Sequence, residues 1–247
     1  MCHEPDSRPP APPVIGEVAG TASLTLTAAD GNALAAFEAV PAGTPRAGVV
    51  ILPDVRGLHP YYVALAERFA EAGLHAVAID YFGRTAGAQP RDDEFPFRDH
   101  LTSVTPDHVR LDTAAAADRL AAAGITSVFT LGFCFGGGQS WRLAASDLGL
   151  AGAMGFYGRP SMAEEVADDV TTPVLMLVAG DDAATPVEVS QALADRLTEA
   201  GKDVEVHVFD GAPHSFFDRS FADHAQACTQ AWQDILGFVG RHAAAAR

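Results

Sequence analysis

The chain has 247 residues, 48% hydrophobic and 19% charged, the make-up of an ordinary globular protein with ample material for a core. An excess of acid, 32 Asp and Glu against 16 Lys and Arg, leaves a net charge of −16, which speaks against a nucleic-acid partner and against an anionic membrane surface. Cys2, Cys134 and Cys228 form no paired spacing, the start MCHEPDSRPPAPP lacks the basic and apolar parts of a secretory signal, and no apolar run could span a bilayer; a cytoplasmic protein is expected.

Residues 1–20 are rich in proline and read as an arm, and residues 21–247 as one α/β domain. Cys2 and His3 are adjacent but lack further ligands at metal-binding spacing, so no metal is expected there. Ala22 to Ala28 and Ala33 to Val40 alternate about the turn signal Asp30-Gly31-Asn32 and predict an edge hairpin. Ala47 to Leu52 and Leu74 to Ile79 are apolar runs of the kind that strands buried on both faces show. Between them, Tyr61 to Ala72 carries helical periodicity closed by Gly73. Tyr81 to Thr105 is long and irregular, with aromatics and charges, and reads as a lid or pocket wall.

Thr105-Pro106-Asp107 starts a helix that ends at Gly124. Further strands are expected at Thr126 to Leu131, Ala151 to Tyr157, Pro173 to Ala179 and Val204 to Asp210. Helices are expected at Gln139 to Ala145, Pro186 to Ala200 and Phe221 to Val239. The sum is about eight strands, mostly parallel, with interleaved helices.

The run GFCFGGG, Gly132 to Gly138, joins a strand to a helix with Cys134 at the tip. This is the place where an α/β-hydrolase fold carries its nucleophile, with a thiol in place of the usual hydroxyl. Gly132 and Gly136 let backbone pass close to a strained residue, and the following helix aims its unpaired N–H groups at the tip. A base is expected after a late strand, and His214 stands in GAPHSFF after Val204 to Asp210. An acid is expected after the preceding strand, where AGDDAATP offers Asp181 and Asp182. The order nucleophile, acid, histidine is the one this fold uses. Of the other histidines, His59 follows the loop PDVRG and is a candidate to face the pocket, with His100 behind it. His75, His108, His207, His224 and His242 are expected to be structural or at the surface.

GFCFGG at the elbow, Asp182 four residues before Pro186, and HSF at the histidine together resemble dienelactone hydrolase, a cysteine-nucleophile branch of the α/β-hydrolases. The resemblance runs from about Ala47 to Phe238. It implies Asp182 rather than Asp181 as the acid, and backbone N–H groups of Val55 and Phe135 as the oxyanion donors. It also implies a resting-state carboxylate at Asp54, where the family has Glu. The family binds its substrate's carboxylate through arginines, and Arg84 in DYFGR matches one of them. The second is expected four residues after the histidine, where Asp218 stands with Arg219 next to it; Arg56 and Arg98 are further candidates.

The implied activity is hydrolysis of a small-molecule lactone or activated ester through a thioester on Cys134, without metal or organic cofactor. A thioesterase, an isomerase, or a non-catalytic ligand-binding member of the fold are the alternatives, and the sequence is compatible with a monomer or a dimer.

Overall fold

The computed structural model describes residues 7–217 and 221–243. Eight strands form one sheet in the order β1-β2-β4-β3-β5-β6-β7-β8. The hairpin β1 (Val18–Thr27) and β2 (Ala33–Pro41) is antiparallel and occupies one edge. β2 pairs antiparallel with β4 (His75–Ile79). From β4 the sheet continues in parallel through β3 (Gly48–Leu52), β5 (Val128–Phe133), β6 (Gly152–Phe156), β7 (Val174–Asp181) and β8 (Val204–Pro213). This is an α/β-hydrolase architecture, and the parallel strands deliver the loops that follow them to one edge of the sheet, where such folds bind ligands.

The side-chain period of two divides each central strand between two cores. Val49 and Ile51 of β3 join Phe129, Leu131 and Phe133 of β5 against α1 (Pro60–Glu71) and α8 (Ala225–His242), through Tyr62, Phe69, Trp232 and Phe238. On the opposite face Val50 and Leu52 meet Val109, Ala116 and Leu120 of α4 (Pro106–Ala122). Farther along that face Trp141 of α5 (Phe135–Leu143) packs in a cluster with Met176 and with Leu193 and Leu197 of α7 (Val187–Glu199). Strands buried on both faces account for the unbroken apolar runs in the sequence.

The 81–105 segment holds two short helices, α2 (Gly83–Ala86) and α3 (Phe97–Leu101). It is fastened from inside. Arg91 Nη2 donates to Asp80 Oδ2 at 2.9 Å, both side chains are buried, and Arg91 N donates to Leu58 O at 3.1 Å. The acidic stretch after β6 forms α6 (Ser161–Glu164) and a 3-10 turn, Ala167–Asp169. Pro10 and Gly16 are tied to the body: Trp232 Nε1 donates to Pro10 O at 3.1 Å, and Gly16 N to Glu71 O at 2.7 Å. Among the described residues no helix is long and apolar enough to cross a membrane, and no group of His, Cys, Asp or Glu could hold a metal ion. Cys2 and His3 lie outside the described residues.

Candidate active site

Cys134 sits at the junction of β5 and α5 with φ 54° and ψ −109°, a conformation costly for any residue with a Cβ. The surrounding packing imposes it. A Cβ on Gly132 would strike the Gly136 carbonyl, and one on Gly136 would strike the Leu52 carbonyl. Cys134 N donates to Phe156 O at 3.1 Å, and Gly138 N donates to Cys134 O at 3.2 Å. The elbow is thus clamped between β3 and β6. Among the described residues only Cys134, Tyr157 and Ser215 combine a side chain with positive φ. The first two line one cavity and Ser215 directly follows His214, which lines it as well.

The register of the last two strands builds the acid and base pair. Asp181 is the β-partner of Pro213, so the next residue on each strand, Asp182 and His214, emerge side by side. His214 Nδ1 lies 2.6 Å from Asp182 Oδ2. The other carboxylate oxygen accepts Ala184 N at 2.8 Å and Thr185 N at 3.1 Å. Burial raises the Asp182 pKa, but the His214 hydrogen bond and charge and these two amides outweigh it and hold the carboxyl below its ordinary range. As an ionised acceptor Asp182 favours the tautomer of His214 with the proton on Nδ1, in which Nε2 carries the lone pair. The Tyr157 ring lies against the imidazole, with centroids 4.8 Å apart, and restricts its rotation.

Val55, Leu101, Cys134, Phe135, Tyr157, Arg159, Met162, Thr185 and His214 line a cavity of about 330 Å³. The backbone N–H groups of Val55 and Phe135 meet no acceptor among the described residues. Both residues line the cavity together with Cys134, and unsatisfied backbone donors in general favour negative charge on oxygen.

The loop after β3 is held rigidly. The Asp54 side chain, with no exposed surface, accepts Arg56 N at 2.9 Å on Oδ1 and Arg56 Nη2 at 2.8 Å on Oδ2. Asp54 N donates to Tyr62 Oη at 3.0 Å, and Tyr81 Oη donates to Pro53 O at 2.8 Å. Asp54 and Arg56 therefore flank Val55 in the buried base of the loop and do not line the cavity. His59 caps α1 and lies with Nε2 2.7 Å from Asp93 Oδ1; burial outweighs that carboxylate and lowers its pKa. It too lies off the cavity wall.

Arg84 is not brought to the cavity. Its guanidinium is taken up by Asp30 of the β1–β2 turn, 2.9 Å away, and by Asp112 of α4, 2.8 Å away. Arg98 stands over the Phe97 ring, 5.6 Å from its centroid. Asp218 and Arg219 lie outside the described residues. Among the wall residues that the sequence does not single out are Tyr157 and Arg159. Both occur in FYGRP immediately after β6, and the rule that located Cys134, Asp182 and His214, a position just past the C-terminal end of a parallel strand, applies to them equally.

Comparison with known proteins gives the family and the fold. Residues 34–243 match the model of the dienelactone hydrolase family. The chain is 27% identical over 237 residues to a Yersinia pestis protein named "Putative carboxymethylenebutenolidase", covering 90% of this chain and 89% of that one. A Saccharolobus solfataricus protein of the same name is 24% identical over 249 residues, covering 86% and 95%. Among solved structures, a dienelactone hydrolase-like promiscuous phosphotriesterase from metagenomic libraries superposes with a TM-score of 0.75 at 24% identity, covering 90% of this chain and 98% of that one. With the family match running from β2 to the last described residue, the chain belongs to the dienelactone hydrolase family.

Proposed function

We propose that the protein hydrolyses a small lactone or activated carboxylic ester through a thioester on Cys134. The observation that carries this reading is the cavity itself: the strained Cys134, the carboxylate-held His214, and Val55 and Phe135, whose backbone N–H groups meet no acceptor among the described residues, line one small volume. His214 Nε2 takes the thiol proton, and the thiolate attacks the acyl carbon. The oxygen of the tetrahedral intermediate receives the N–H groups of Val55 and Phe135. Collapse expels the alcohol or enol, which receives the proton from His214. Water, deprotonated by the same nitrogen, then cleaves the thioester.

Asp182 holds the imidazole in its tautomer and stabilises the imidazolium. Asp54 and Arg56 act on the loop: the carboxylate that accepts Arg56 N fixes the turn presenting Val55 N–H to the cavity. This positioning role accounts for the Asp54 geometry. Activated esters and enol lactones suit a thiol because their oxygen leaving groups depart more readily than the thiolate, whereas an amine does not. The odd number of cysteines, three in the sequence, favours a cytoplasmic setting.

Replacing Cys134 by Ala or Ser tests the reading. Turnover of an aryl ester should fall by at least about a thousandfold with circular dichroism unchanged. Full activity in the alanine variant would overturn it.

A further inference from the structure

A second cleft, of about 410 Å³, lies where α4 and α5 meet, and it shares no lining residue with the cavity at Cys134. From α5 come Gln139, Arg142 and Leu143, spaced three and four residues apart and so on one face of the helix. From α4 come its cap Thr105, its first residues Pro106 and Asp107, and Arg110 a turn further on. Val166, from the loop after α6, adds to the apolar part of the wall.

Gln139 marks the cleft as more than a surface dent. The residue is only 4% exposed, it lines the cleft, and its amide makes no hydrogen bond to another described residue. Buried polar side chains are normally paired, because an unpaired one costs stability. An amide left open on a cleft wall suits a partner that the chain itself does not supply.

The cations beside Gln139 are only partly used. Arg142 donates through Nη1 to Met162 O at 2.9 Å and to Glu165 Oε2 at 3.1 Å; its Nε and Nη2, which form one edge of the guanidinium, meet no acceptor among the described residues. Arg110 gives Nε and Nη2 to Asp107 Oδ1 at 3.0 and 2.9 Å, and its Nη1 lies 3.6 Å from Asp147 Oδ1. Glu165 and Asp147 are exposed and do not line the cleft, and surface pairs of this kind are weak. The wall therefore carries two guanidinium groups against one carboxylate, Asp107, in a chain of net charge −16. The positive end of the 17-residue α4 at the same wall also favours an anion. A free guanidinium edge matches two oxygens of a carboxylate or phosphate, and Pro106, Leu143 and Val166 suit an apolar body.

We propose that the cleft between α4 and α5 is a second binding site, for a small organic carboxylate or phosphate with an apolar body, held by Arg142, Arg110 and Gln139. Binding there involves no step at Cys134 and stands apart from the hydrolytic reading.

Isothermal titration calorimetry on the full chain tests it, with benzoate and phenyl phosphate as the anionic probes and benzamide as the neutral one. At least one anion should bind wild type saturably, and benzamide should bind about tenfold more weakly or not at all. Arg142→Gln, Arg110→Gln and Gln139→Leu should each weaken the anion by about fivefold or more. Arg110 is at the rim and touches no core element, so its variant keeps the test intact if Gln139→Leu fails to fold. Lack of saturation by either anion up to about 20 mM, benzamide as tight as benzoate, or an affinity unchanged in the folded variants would overturn the proposal. The last result would place the anion elsewhere on the molecule.

Discussion

Asp182 Oδ2 and His214 Nδ1 stand 2.6 Å apart because the residues before them, Asp181 and Pro213, are partners across β7 and β8. Sheet register therefore decides which of two adjacent aspartates serves the histidine. Asp181 is exposed at the strand end, whereas Asp182 is buried and receives two further amides. Replacing Asp182 by Asn should lower kcat by about 10³ to 10⁴, since an amide no longer selects the reactive tautomer. Asp181→Asn should cost less than about tenfold. Steady-state rates of the two variants on one aryl ester check this, and the opposite ranking would show that Asp181 serves the histidine.

The same pair has a pH signature. The Asp182 pKa is lowered in the folded protein, so its ionised form contributes stability above the ordinary carboxylate range, and that contribution is lost as pH falls through the folded value. Urea denaturation of wild type and Asp182→Asn should therefore show a stability gap at pH 7 that narrows toward pH 3. A gap that widens in acid would contradict the lowered value.

Gly132 tests the elbow without touching a reactive group. Its missing Cβ is what admits the Gly136 carbonyl, so Gly132→Ala must displace α5 from β5 and with it the Phe135 N–H. The variant should lose activity by more than about a hundredfold, with a lowered melting temperature. As a control, Gly43→Ala, where nothing stands within 4 Å of the added carbon and φ is not positive, should behave as wild type.

Much of this was legible from the sequence. Apolar runs marked the strands because burial on both faces leaves no alternation to obscure them, and chain order placed Cys134, Asp182 and His214 at one edge. The start of α5 was less so. Gly136, Gly137 and Gly138 are poor helix formers, and the spacing suggested a helix from Gln139; the structure begins it at Phe135. Close packing on the carbonyls of Leu52, Pro53 and Phe156 admits only glycine there and overrides propensity. Arg84 was misplaced for a related reason. Its partners, Asp30 and Asp112, lie 54 and 28 residues away, and no local pattern joins them. Arg159 escaped notice because an exposed arginine beside a proline has the local signature of any surface loop.

Arg91 governs the 81–105 segment. It neutralises the buried Asp80, which also receives Leu58 N and Phe82 N, and it lies 4.6 Å from the Phe95 ring centroid. Arg91→Ala strands a buried carboxylate and should destabilise the fold by about 3 kcal/mol. Because Leu101 of the same segment forms part of the cavity wall, KM should rise as well. Thermal denaturation and steady-state kinetics together check both effects, and an unchanged melting temperature would show that Arg91 does not hold the segment.

Covalent chemistry at Cys134 is the centre of the account, and mass spectrometry of the acid-quenched protein during turnover of an aryl ester reads it most directly. The expected result is the acyl mass on the peptide containing Cys134, with neither the adduct nor turnover in Cys134→Ala. An acyl group found on another side chain, together with undiminished turnover in Cys134→Ala, would contradict it.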